Sequence, residues 1–272
     1  PSFFISAGAR FIITRTVGKS KPQFFKAERT RSLLSFTDAS GSFSLESIIA
    51  LADKNRLRVF GDSLWQSAIS TVICLIIGYP VAYFISRLGE RAQSTLITLI
   101  MVPMCMSFLL RTMAWVVLLE DGGLFYRMFT SLGLENVKLI RTPGAVILCM
   151  VYNYLPYMIL PLYTVMVKIG KPVLEAAGDL GAGKFNTFLR VILPLSTPGI
   201  VSGITMVFVP AVSTFYISKK LGGTSMMIGD LIEQFFKEMP NYNLGAALSL
   251  LLMLVVLILT TQSASVRICS TL

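Results

Sequence analysis

The sequence predicts an all-α protein, a polytopic transmembrane helix bundle. Three observations carry that expectation. Mean hydropathy is +0.72, with 54% hydrophobic and only 14% charged residues, against about 25% charged in soluble domains. Several apolar runs approach the ~20 residues that a helix needs to cross the hydrocarbon core. Those runs also lack the strict alternation of barrel strands, the other way to satisfy a backbone in lipid.

Taken in order, residues 1–61 read as a basic, largely polar amino-terminal arm. Pro1 to Arg31 carry seven Lys/Arg against the single acid Glu28. Their apolar patches, Phe3 to Ile5 and Phe11 to Ile13, are too short to span, and no signal-peptide pattern is present. Ser44-Leu45-Glu46 suits the cap of a short helix through Leu51. The membrane domain is expected over 62–262. Its first span, 64–85, ends in Gly78-Tyr79-Pro80, which should loosen or kink the helix. A basic link, Arg87 to Arg91, leads to a second span, 96–119, holding Pro103 and one charge, Arg111. Glu120 and Asp121 open the following loop. The third span, 143–167, contains Asn153, Pro156 and Pro161. A polar island at 171–194 precedes the fourth span, 198–217. Next come a loop with Gly222-Gly223 and an amphipathic helix over 228–236. The fifth span, 244–261, is almost purely aliphatic, and 263–272 form a tail with Arg267.

Composition excludes several functions. The chain has no histidine. Cys74, Cys105, Cys149 and Cys269 are not at metal-ligand spacing, so neither a metal site nor a cofactor is expected, and no nucleophile–base pair or carboxylate pair suggests catalysis. Gly18-Lys19-Ser20 ends like a nucleotide-binding loop, but Ile13 stands where its first glycine is required. ATP would have to be handled by another chain. The net charge of +10 fits basic flanks facing the cytosol and anionic membrane lipid better than nucleic acid, which is not an expected partner.

The polar island organises the chain. Leu174-Glu175-Ala176-Ala177-Gly178-Asp179-Leu180-Gly181-Ala182-Gly183 runs on through Phe188, Val191, Leu193 and Pro194. It reads as a short helix, a glycine turn and a second short helix at a membrane surface. Ala176 and Ala177 keep a helix face thin for close approach, Gly178 and Gly181 permit a sharp turn, and Glu175 offers one charge to a partner. An ordinary hairpin between two spans is the structural alternative. The pattern E-A-A-x-x-x-G, then F-x-x-V-x-L-P and a new span, resembles the cytoplasmic coupling loop of ABC importer permeases. In that family this loop docks on the ATPase subunit.

Further stretches resemble the spermidine/putrescine branch of the same family. They include Ile77 to Tyr83, Ser107 to Trp115, Pro194 to Ile200, Val209 to Phe215, and Leu221-Gly222-Gly223 with Met227 to Ile232. The resemblance implies the type I permease fold, a multi-pass place in the cell membrane, and uptake of polyamines by alternating access. It implies as partners an ATPase dimer, a sister permease in a heterodimer and an extracellular or periplasmic substrate-binding protein. It runs from about Ser32 to Thr260 and lacks the family's first span. With the coupling loop inside, five spans put the basic arm outside, against the positive-inside rule. A start that is truncated or shifted in frame, or an unusual variant, would reconcile the two.

A polycation's path should offer carboxylates, carbonyls and aromatic faces. Arg111 is the one clearly intramembrane charge and has the wrong sign. It is either a structural hydrogen-bond hub or a charge that repels cations from a closed gate. Trp115, Tyr154, Ser213, Thr214 and Phe215 are the other pathway candidates, with helix packing as their alternative role. Glu120, Asp121 and Asp230 are candidates for an outer vestibule. Two rival functions stay open. One is an importer for another solute, such as Fe(III), thiamine or sulfate; the other is a truncated membrane protein that does not transport.

Overall fold

The structure, a computed structural model, describes residues 54–131, 140–179, 181–223, 226–237 and 242–269. The expectations for 1–53, the Ser44 cap included, lie outside these residues. The described residues form helices joined by turns. They are α1 (Lys54–Ser86), α2 (Glu90–Met101) with a 3-10 turn (Val102–Cys105), α3 (Phe108–Leu119) and α4 (Leu124–Ser131). Then follow α5 (Pro143–Lys168), α6 (Lys171–Asp179), α7 (Lys184–Thr187) with a π turn (Phe188–Ile192), and α8 (Leu193–Val212). The last three are α9 (Tyr216–Leu221), α10 (Ile228–Lys237) and α11 (Tyr242–Cys269). Among the described residues, four helices are long and apolar enough to cross a membrane: 55–86, 143–168, 185–212 and 242–261. Counting one bent pair as a span makes five.

Side-chain contacts give the register. From α1 to α5, Ser70 meets Met150, Cys74 meets the Val151 carbonyl and Gly78 meets Met158. The numbers rise together, so these helices run parallel. From α8 to α5, Gly199 lies against Pro161 and Val165, Gly203 against Met158, and the Pro210 carbonyl against Tyr154. These run opposite, so α8 returns antiparallel. Tyr79 of α1 meets Ser196 of α8 at 2.9 Å, near the end of the bundle that carries α6 and α7.

Lipid offers no hydrophobic drive between helices, so small residues that let backbones approach carry the association. Gly199 and Gly203, a G-x-x-x-G pair on α8, do this against α5. Met158, fully buried, is the central knob. A Cβ at Gly78 would lie 3.1 Å from its Cγ, and one at Gly203 would lie 2.6 Å from its Sδ. Along α1 the buried residues Ser63, Gln66, Ser67, Ser70, Thr71 and Cys74 recur at helical spacing and form one narrow face.

Several expectations need correction. The second span, 96–119, is not one rod. Its helices meet at an 86° bend between Cys105 and Phe108, beyond Pro103, which interrupts the helical ladder. Gly78-Tyr79-Pro80 neither ends nor breaks α1. Gly78 is instead a notch for Met158 and Tyr79 a hydrogen-bonding post, and α5 likewise continues through Pro156 and Pro161. The fourth span begins earlier than 198 and ends at Val212 rather than 217. Helix continues to Cys269 in the segment read as a tail, and α1 begins at Lys54, within the segment read as extramembrane.

Candidate coupling loop and pathway

The polar island folds as a helix, a glycine turn and a second helix. The end of α6 is a Schellman cap. The Ala182 amide donates to the Ala177 carbonyl at 3.0 Å, and the Gly181 amide donates to the Gly178 carbonyl at 2.8 Å. The residue at the turn must be left-handed, and Gly181 has φ +76°. Gly178 lies inside α6 and is not among the glycines of positive φ, so the turn rests on Gly181 alone. Ala177 is buried within the chain, whereas Glu175, Ala176 and Gly178 are exposed. The thin outward face therefore belongs to Ala176 and Gly178, which sequence reasoning had assigned to the Ala176–Ala177 pair. It had also missed Phe185, which is 73% exposed. An aromatic side chain so open, beside a helical turn, is the apolar centre of the loop's outer surface.

Helix continues from Phe185 to Val212. The second short helix is therefore the first part of the fourth span, joined to it through the π turn that contains Phe188. The Phe188 ring stands edge-on to Tyr79 at 5.7 Å and to Tyr83 at 6.2 Å. The Arg87 guanidinium covers the other aromatic partner, 5.0 Å from the Tyr83 ring centre, and donates to the Ile169 carbonyl at 3.2 Å. Pro194 is exposed directly after the π turn, inside the continuous 185–212 helix, where it has no amide to give to the helical ladder. The loop is thus tied to α1 by the Phe188 ring contacts and to α8 by the continuous helix. Phe188→Ala should loosen that tie. Aromatic pairs add about 0.5–1.5 kcal/mol each beyond burial, so the protein in mild detergent should melt at a lower temperature. An unchanged Tm would show that the rings carry no load.

The pathway candidates separate into groups. Arg111 is only 8% exposed, and its Nε and Nη1 have no acceptor. It bears electrostatically on Cys149 and Tyr154 of α5. Tyr154 is buried, donates to the Pro210 carbonyl at 3.3 Å and lies beside the Thr214 hydroxyl. Asn153, next to Cys149, has an unpaired buried Oδ1. Arg111, Asn153, Tyr154 and Thr214 thus form one polar cluster. Trp115, one turn along α3 from Arg111, is stacked on Phe125 at 5.9 Å and edge-on to Tyr152 at 5.3 Å. Ser213, Thr214 and Phe215 occupy the break after α8 rather than a span; Ser213 and Phe215 are exposed and Thr214 is buried.

Glu120 and Asp121 are exposed just beyond α3. Asp230 is not open to a vestibule. It is buried and caps its own helix, its Oδ2 accepting from the Met227 amide at 3.1 Å. Burial pushes its carboxyl above the usual range, and the Ser218 hydroxyl and Met227 amide only partly offset this. Glu233 on the same helix goes the other way, held low by Lys237. A carboxyl whose pKa is raised on folding contributes stability that is full below its unfolded pKa and is lost as pH rises through the raised value. Asp230→Asn should therefore raise Tm at neutral pH, and the gain should vanish towards acid pH. A gain of equal size at both would contradict this origin.

A membrane bundle tied to one surface loop that ends in a rigid cap is the architecture of a transport permease subunit. The family model of the binding-protein-dependent transport system inner membrane component matches residues 58–267. The chain belongs to that family. It is 38% identical over 216 residues to the spermidine/putrescine transport system permease protein PotB of Salmonella typhimurium (strain LT2), covering 78% of this chain and 75% of that protein. The corresponding Escherichia coli (strain K12) protein is 37% identical over 78% of each chain. Among solved structures, a bacterial ABC transporter that imports the acidic polysaccharide alginate superposes with a TM-score of 0.75. That match has 14% identity and covers 97% of this chain and 99% of that chain. The MetNI methionine ABC transporter gives 0.60, with 17% identity over 79% and 95%. At such identities these two likenesses concern the fold.

Proposed function

We propose that this chain is the membrane-spanning subunit of an ATP-driven importer of polyamines. Its fold and family are those of a permease. The single observation favouring polyamines is the 38% identity to spermidine/putrescine permeases over most of both chains. In this reading an ATPase dimer docks on the outward face of the loop, at Glu175, Ala176, Gly178 and Phe185. A sister permease completes the pathway, and a substrate-binding protein delivers the polyamine from the other side. Closure of the ATPases pushes the Gly181 turn. The continuous 185–212 helix and the Phe188 wedge pass that displacement to the spans, and the bundle alternates its access.

A second reading, an importer of an anionic solute, is favoured by one observation, the buried Arg111 with two unpaired donors. In the polyamine reading the same charge is a barrier that keeps small cations from leaking through the resting pathway. Labelled spermidine uptake decides between them. The host lacks its own polyamine permease and carries this chain with the ATPase, sister permease and binding protein encoded beside it. ATP-dependent uptake competed by putrescine is the expected result. No spermidine uptake, with uptake of an oxyanion, would overturn it.

A further inference from the structure

Two complementary orphans meet in the polar cluster. Arg111 on α3 has donors without an acceptor at Nε and Nη1, and Asn153 on α5 has an acceptor without a donor at Oδ1. Arg111 is 8% exposed and Asn153 1%. All three atoms are sealed from solvent, so water does not complete them where they stand. A buried polar group left unpaired is costly, and a buried charge more so.

The two residues flank the same contact. The Cys149 thiol of α5 is hydrogen-bonded to the hydroxyl of Thr112 on α3, the neighbour of Arg111. Asn153 stands one turn further along α5, where its Nδ2 donates to the Cys149 carbonyl at 2.9 Å and lies 3.3 Å from the Cys149 Sγ. The bond to the carbonyl fixes which way the amide faces and leaves Oδ1 over. No carboxylate of these spans competes for the guanidinium, because segments 63–86, 108–119, 143–168, 185–212 and 242–261 hold no Asp or Glu. The helix that carries Arg111 is also the one placed to move. It lies beyond the 86° bend, whereas α1, α5 and α8 lock together at Gly78, Gly199 and Gly203.

We propose that Arg111 and Asn153 are a positioning pair of the transport cycle, apart in this state and joined in the alternate one. There α3 shifts along α5 by up to one turn, ~5.4 Å, and the guanidinium donates to Asn153 Oδ1. The pair rests on the reading of the chain as a permease that alternates its access, and gives that motion a place. The two orphans raise the energy of this state, and their union lowers that of the other. The states are thereby brought close enough for ATP binding to tip the balance. The barrier charge also gains somewhere to go when the pathway opens.

The test uses the full complex of this chain, sister permease and ATPase dimer in proteoliposomes. Spin labels are placed through Val117→Cys on α3 and Val167→Cys on α5, both exposed positions. Cys105→Ser and Cys269→Ser leave only Cys74 and Cys149 as native thiols, and both are buried. With Asn153 and Arg111 intact, a second α3–α5 distance should appear when a non-hydrolysable ATP analogue binds. Asn153→Asp keeps the shape and turns the joined pair into an ion pair. It should raise the share of the second distance roughly tenfold without nucleotide, the weight of one charge-assisted bond, and adding Arg111→Gln should cancel the rise. Asn153→Ser still reaches the Cys149 carbonyl but falls short of Arg111. It should lower the second distance roughly tenfold with the analogue bound, and it decides alone if Asn153→Asp does not fold. No rise in Asn153→Asp, a rise that survives Arg111→Gln, or an unchanged distribution in Asn153→Ser overturns the pair. Labelled spermidine uptake, measured in parallel with binding protein, separates the two readings. Uptake without a second distance overturns the pair and upholds import. A second distance without uptake overturns polyamine import and upholds the pair, and the absence of both overturns both.

Discussion

Gly181→Val is expected to cut ATP-driven uptake by roughly tenfold without lowering the amount of the chain in the membrane. Gly181 sits at φ +76°, where an L-residue costs about 1–2 kcal/mol and a β-branched one more. The space around its Cβ position is open, with nothing within 4 Å, so the bundle itself has no reason to fail. The cost falls on the turn. To escape it, the backbone must give up the two capping bonds from Gly181 and Ala182, and α6 then changes its angle to the lever that begins at Phe185. Displacement by even ~1 Å is costly where function depends on positioning. ATP hydrolysis should persist while transport falls, and Gly181→Ala should give a milder form of the same defect. Measured as labelled substrate imported per ATP hydrolysed in proteoliposomes, a normal ratio in the valine variant would remove the turn from the coupling route.

Gly203→Leu should have the largest effect on assembly. A Cβ at this position would already lie 2.6 Å from the Met158 Sδ and 3.4 Å from the Met158 carbonyl. A lone methyl could push the flexible Met tip aside at the ~1–3 kcal/mol typical of overpacking. A leucine cannot be accommodated this way, because Gly78 closes the other side of the same methionine at 3.1 Å. The α5–α8 pair should separate, and folded protein extracted in mild detergent should drop severely. Met158→Ala alone leaves a cavity and costs about 2–5 kcal/mol. Joined to Gly203→Leu, it supplies the missing volume and should recover part of the folded fraction. If the double variant is no better than Gly203→Leu, the clash is not what limits assembly.

What the sequence disclosed, and what it hid, follows from the range of each signal. Hydropathy is a sum over many residues, so the existence of the four long spans was legible, while the start of the first, both ends of the fourth and the end of the last lie more than a turn from the expected bounds. The helix, glycine turn and second helix of the polar island were legible because its glycine, its alanines and its F-x-x-V-x-L-P run lie within twenty-odd consecutive residues. Three features were not legible. The 86° bend near Met106 follows from how two half-spans pack, and Pro103 marked only its neighbourhood. The outward face of α6 depends on which alanine turns inward, a matter of tertiary contact that placed Ala177 inside and left Phe185 outside. The buried position of Asp230 depends on α10 folding back so that its own amide end needs a cap. Two signals were present and passed over. Gly199 and Gly203 are spaced for close helix contact, and the polar positions 63, 66, 67, 70 and 71 recur with a helical period inside an apolar run. Both would have shown which faces of α8 and α1 meet the bundle.

The π turn at Phe188–Ile192 has a consequence of its own. A π turn holds one residue more than an α turn, so the helix before it and the helix after it are out of step by about 100°, the rotation of one α-helical residue. Phe185 and the exposed face of the loop are thereby clocked independently of Gly199, Gly203 and the residues that meet α5. The same lever could serve a differently oriented motor by gaining or losing a single residue here. Such a change would alter no docking residue and no packing residue, only the angle at which a push on one is delivered to the other.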